Sequence, residues 1–221
     1  MAKQKCQWMM YTDVDEFVFS PSWLKLLKAN ANIGYPLKHT ASKAALRRLV
    51  INLSKPGAAL TGQISLRCRN FGPSGLREHP QRGVTQGYTC RERMLKRYKS
   101  ILLLEAASPK LLNVIHRFQL KNAYRIVYVK AQRTVINHYK YQAWSEFKAK
   151  FRRRVSAYVV DWKESRNVVS QDQAPGLRNR AIKPHGWENM FCQVNESALK
   201  EFTGRAFSLN NKEPGSKLQW Q

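Results

Sequence analysis

The chain has 221 residues and a formal net charge of +25. Six Trp and nine Phe within a hydrophobic content of 43% exclude a disordered chain and supply a packed core. No apolar run approaches the roughly 20 residues that cross a bilayer, and the opening "MAKQKCQWMMYTD" has too short an apolar run for a secretion signal. From Phe17 to Arg77 there is no Asp or Glu against ten Lys or Arg. A field of that sign selects a polyanionic partner: nucleic acid, anionic lipid, nucleotide phosphates or acidic polysaccharide. The four cysteines (Cys6, Cys68, Cys90, Cys192) have no CxxC spacing, which argues against zinc. Buried thiols and one or two disulfides both stay open.

In chain order, residues 7–12 read as an apolar strand, and Phe17-Val18-Phe19 resumes that character after a run of acids. "SPSWLKLLKAN" predicts a short amphipathic helix with a Ser or Pro start. Residues 44–53 fit either helix or strand. From Gly57 to Gly87 the Gly and Pro content predicts a long shaped loop between short strands. Strands are expected over 98–104 and 124–130. From Trp144, apolar residues at steps of three or four (Trp144, Phe147, Phe151, Val155, Tyr158, Trp162) predict a helix with Ser145 as N-cap. Its other face carries Lys148, Lys150, Arg152, Arg153 and Arg154. After Glu164 the chain reads as polar and irregular. One domain is expected over 1–209, with a disordered tail over 210–221.

The segment "WMMYTDVDEFVF" sets Asp13, Asp15 and Glu16 among apolar neighbours. In an extended segment Asp13 and Asp15 face one side, with Val14 packing on the other. Two adjacent carboxylates next to a buried strand repel, and a divalent cation removes that cost. Hard oxygen donors suit Mg²⁺ or Mn²⁺, which keep coordination positions open for substrate phosphates.

"WMMYTDVDEFVF", "FGPSGLREHPQRGVTQGYTCRER", "RYKSILL" and "VINHYKYQAWSEFKAKFRRR", in that order, resemble the plant branch of glycosyltransferase family 92. The likeness runs from about Trp8 to Phe207 and includes galactan β-1,4-galactosyltransferases of the cell wall. It implies an α/β chain with a GT-A-like nucleotide-diphospho-sugar transferase fold lacking its first strands. It also implies a UDP-sugar donor, Mn²⁺ (or Mg²⁺), transfer of a hexosyl group with inversion, and a polysaccharide or glycan acceptor. The location it implies is the lumenal side of the Golgi membrane. Carried over by position, Asp13 and Asp15 match the Asp-x-Asp metal site. His138 in "INHYKY" is the expected histidine ligand, ahead of His116.

Lys99, Arg91 and Lys140 are the expected cations for the donor diphosphate, where negative charge builds as the sugar bond breaks. An inverting transfer also needs a carboxylate base. Between Phe17 and Ser145 only Glu78, Glu92 and Glu105 exist, so Glu78 in the shaped loop is expected first, then Glu146. Tyr88, Tyr139, Tyr141, Trp144 and Trp187 are candidates for stacking on sugar rings, with core packing as the alternative.

The resemblance implies that family members normally have an anchor helix, a stem and the first half of the GT-A domain ahead of the Asp-x-Asp strand. Only twelve residues precede Asp13 here, so an acceptor-side half of low or no activity is expected. Two competing readings are a basic nucleic-acid-binding protein and a non-catalytic polysaccharide-binding remnant. The acid cluster and the lack of any RNP, KH or zinc-finger signature argue against nucleic acid.

Overall fold

A computed structural model describes residues 6–31, 41–54, 60–109, 118–158 and 183–208. The elements, in order, are β1 (Trp8–Met10), β2 (Glu16–Phe19), α1 (Pro21–Ala31), α2 (Ala41–Leu53) and β3 (Leu60–Phe71). Then come α3 (Val84–Gly87), β4 (Cys90–Leu103), β5 (Tyr124–Val129), β6 (Val135–His138), α4 (Trp144–Tyr158), β7 (Val194–Asn195) and α5 (Ala198–Ala206). The sheet is mixed, ordered β1-β4-β3-β6-β2, with β5 on β3 and β7 on β4. β1/β4, β2/β6 and β4/β7 run antiparallel, while β3/β5 is parallel. The chain is therefore a mixed α/β protein.

Two compact units divide it. The first takes Met1–Arg69, Arg93–His138 and Ser197–Gln221; the second takes Asn70–Glu92 and Tyr139–Glu196. In the first unit, Ile64, Leu66 and Cys68 of β3 share one face with Ile101, Val129 and Ile136 of the neighbouring strands. Leu46, Leu49, Val50 and Leu53 of α2 pack there too. Their spacing of three and four settles residues 44–53 as helix. Pro21 opens α1, where its missing N–H costs nothing. Trp23 of α1 meets Phe19 and the Phe202 ring of α5, and Lys28 pairs with Glu201 at 3.1 Å.

The second unit has its own core of Tyr141, Phe147, Phe151 and Trp187, with Trp144, Met190 and Phe191 against it. The indole Nε1–H of Trp187 donates to the Gln142 carbonyl at 2.9 Å. A disulfide between Cys90 and Cys192 closes the same unit, while Cys6 and Cys68 are free.

The structure corrects several expectations. Residues 60–71 are a strand rather than part of a loop. The buried Gln63 there is satisfied: it donates to the Ser65 hydroxyl at 2.8 Å and accepts the Phe118 N–H at 3.1 Å. Gly62 sits at a break in the β3/β5 register, where a side chain would collide with the Cβ atoms of Ala106 and Tyr124. β4 begins at Cys90, eight residues before the predicted start, and its charged first half hides it from an apolar search. The first helical bond of α4 runs from Phe147 N–H to Ala143 O, so Ser145 lies inside the helix and is not its cap. Residues 198–206, read as irregular, form α5. His116, Trp162 and residues 210–221 lie outside the described residues.

Candidate active site

The acid segment is not extended through Asp15. Glu16 N–H donates to the Asp13 carbonyl at 3.1 Å, closing a turn over residues 13–16. The Glu16 carboxylate returns the bond, accepting Asp13 N–H on Oε2 at 3.0 Å. The turn separates the two aspartates. Asp13 keeps 63% of its side chain in solvent, whereas Asp15 keeps 6%. Val14 does not pack at all; it is 100% exposed at the tip.

β2 carries the cluster inward. Its register sets Glu16 directly opposite His138 on β6. From β4, Lys99 places Nζ 2.8 Å from Glu16 Oε2 and 3.3 Å from Asp13 Oδ2. The Lys99 side chain is 4% exposed and that of Glu16 only 1%. His138 Nε2 stands 3.5 Å from Asp15 Oδ2, and Nδ1 stands 3.6 Å from Glu16 Oε1. These last two separations are electrostatic contacts, too long for good hydrogen bonds. The partners that let three acids sit beside apolar neighbours are thus an ammonium and an imidazole from the adjoining strands.

Burial pushes the Lys99 ammonium toward losing its proton, but the hydrogen bond and charge of Glu16, then Asp13, outweigh it. The net result lies above the ordinary lysine value of 10.5. A lysine raised on folding adds stability that is complete below its unfolded pKa and vanishes as pH climbs through the folded one. Thermal melts across an alkaline series are therefore expected to show an extra loss of stability above the ordinary lysine range. The doubly neutral variant Glu16→Gln/Lys99→Met should lack that loss, and an identical alkaline profile in both proteins would contradict it. On the same face, burial and then the Glu16 charge push the Cys68 thiol up to about 12, which leaves it inert as a nucleophile.

Among the described residues, no three His, Cys, Asp or Glu stand as a ready-made metal-binding group. In donor type the residues nevertheless fit a divalent ion. Asp15 offers oxygen beside the His138 ring nitrogen, and that Nε2 is buried without a hydrogen bond. Asp13 adds a second, solvent-facing carboxylate on the same turn.

The structure thus gathers Asp13, Asp15, His138 and Lys99 in the first unit, together with Glu16, whose part the sequence left undefined. Lys99 differs from its expected role, because its ammonium is already engaged by two carboxylates. Arg91, Lys140, Glu78 and Glu146 belong to the second unit. Arg91 is an internal tie there: Nη1 donates to the Glu92 carbonyl at 2.9 Å and Nη2 lies 3.7 Å from Glu196 Oε2. Lys140 Nζ lies 5.3 Å from the centre of the Tyr141 ring. Glu78 is exposed in the loop after β3, and Glu146 is half-buried in the first turn of α4. Tyr88, Tyr139, Tyr141 and Trp187 are buried, so they serve the core and are closed to a sugar ring; Trp144 packs edge-on against Trp187.

Residues 1–168 match the sequence profile of Glycosyltransferase family 92. A family 92 protein of Arabidopsis thaliana is 43% identical over 207 residues, covering 94% of this chain and 34% of the relative. One from Ricinus communis is 43% identical over 201 residues, covering 91% and 32%. One from Oryza sativa subsp. japonica is 37% identical over 207 residues, covering 94% and 32%. The chain spans about a third of the length of the curated relatives it matches.

Proposed function

The chain belongs to glycosyltransferase family 92, and on that premise we propose that it carries the metal-binding part of a GT-A-type transferase. The reaction is transfer of a hexosyl group, galactosyl first among them, from a UDP-sugar to a cell-wall polysaccharide or glycan with inversion. The observation that carries the reading is the buried contact of His138 Nε2 with Asp15 Oδ2 at 3.5 Å, with no hydrogen bond on that nitrogen.

Asp15 and His138, joined by Asp13, would hold Mn²⁺ or Mg²⁺. When bound, the ion supplies positive charge to the donor diphosphate where the leaving oxygen becomes anionic. The turn over 13–16 fixes Asp15 at the end of β2, and β6 delivers His138 beside it. Glu78, exposed as an acceptor-facing base must be, is the first choice for taking the acceptor hydroxyl proton, with Glu146 second. Lys140 remains a candidate cation for the diphosphate, whereas Arg91 is engaged by Glu92 and Glu196. The proposed location is the Golgi lumen. The Cys90–Cys192 disulfide supports it, since such bonds persist in oxidising compartments. No helix among the described residues is long and apolar enough to cross a membrane.

Equilibrium binding of UDP-galactose, with Mn²⁺ and after chelation, tests this. Retention that needs the metal and disappears in Asp15→Asn is expected. Binding indifferent to both the metal and that substitution would overturn the proposal.

A further inference from the structure

The structure assigns to Lys99 the task of withholding Glu16 from the divalent ion, so that the third carboxylate of the cluster is a structural acceptor and never a ligand. The inference rests on the metal-site reading above and adds a positioning residue to it. Three carboxylates and an imidazole crowd one strand end, yet they form no three-donor group. Lys99 is shared unequally between two of these acids.

Its bond to Glu16 is short, at 2.8 Å, and both side chains are shut off from solvent. Glu16 Oε2 also takes the Asp13 N–H, so this oxygen is filled by two donors and held by the turn itself. The contact with Asp13 is longer, at 3.3 Å, and Asp13 reaches into water. Of the two acids on Lys99, Asp13 is free to exchange an ammonium for a metal ion and Glu16 is not. A buried ammonium deprived of Glu16 would lose its closest counter-charge, which resists the exchange further. The ion is left with Asp13, Asp15 and His138 as protein ligands. The smaller ligand count keeps positions open for diphosphate oxygens, as a site of this class requires.

Mn²⁺ titrations of the chain, with water-proton relaxation as a second readout, test this. Lys99→Met should free the Glu16 carboxylate. Mn²⁺ is then expected to bind about tenfold tighter or more without nucleotide, and the bound ion should hold fewer waters. The double variant Glu16→Gln/Lys99→Met should return to within about twofold of the parent affinity, because Glu16 contributes no ligand there. The inference is overturned if Lys99→Met binds no tighter. It is equally overturned if the double variant loses about tenfold or more, which would make Glu16 a ligand in the parent. Should Lys99→Met fold poorly without metal, the double variant decides. A parent chain that binds no Mn²⁺ sinks the functional reading instead, and the role of Lys99 is then judged by whether Lys99→Met gains a site.

Discussion

Replacing Lys99 with methionine is expected to cost about 3–5 kcal/mol in metal-free buffer, because it strands an ionised Glu16 where water cannot reach it. Glu16 would keep the Asp13 N–H and the distant His138 ring, neither of which cancels a full charge. For a chain of this size the loss corresponds to a fall in Tm of roughly 6–20 °C. The double variant Glu16→Gln/Lys99→Met removes both charges at similar volume, and buried pairs so replaced are often neutral or better. It should melt close to the parent. Calorimetry of the three proteins in chelator measures the coupling directly. Equal destabilisation of the single and double variants would mean that Lys99 serves by its packing and not by its charge.

Breaking the disulfide is the second large effect. Cys90 and Cys192 are 102 residues apart, and the bond joins the first residue of β4 to the segment that leads into β7. Nearby, β4 pairs with β7 and Arg91 faces Glu196. Cross-links over loops of this length restrict the unfolded chain, and losing a native one typically costs about 2–5 kcal/mol. Cys192→Ser is therefore expected to lower the unfolding midpoint of the second unit. Trp187, at the centre of that unit's core, reports the transition by its fluorescence. An unchanged midpoint, or a parent protein equally stable in strong reductant, would contradict the expectation.

The acid cluster of the candidate site was legible because its acids stand out, whereas Glu78, Glu146, Arg91 and Lys140 fall in the other unit. Asp13, Asp15 and Glu16 interrupt an apolar run in a chain otherwise poor in acids, and such an interruption demands a partner wherever the acids are buried. What stayed hidden was the geometry. An alternating pattern places Asp13 and Asp15 on one face, but a backbone bond between Glu16 and Asp13 overrides the alternation. The role of Lys99 was equally hidden, since a lysine next to "SILLL" reads the same whether its head reaches solvent or a buried carboxylate.

In the fold, α1 and α4 announced themselves by their apolar spacing. β3 did not, because Thr61, Gly62, Gln63 and Ser65 give a buried strand the composition of a loop. Long-range pairing, not local preference, decides that segment. The Cys90–Cys192 bond was one of several pairings the sequence left open.

Electron paramagnetic resonance of Mn²⁺ titrated into the chain with UDP tests the metal site most directly. One class of site is predicted in the parent, weakened about tenfold or more in Asp15→Asn and in His138→Ala. Undiminished binding in both variants would contradict the account.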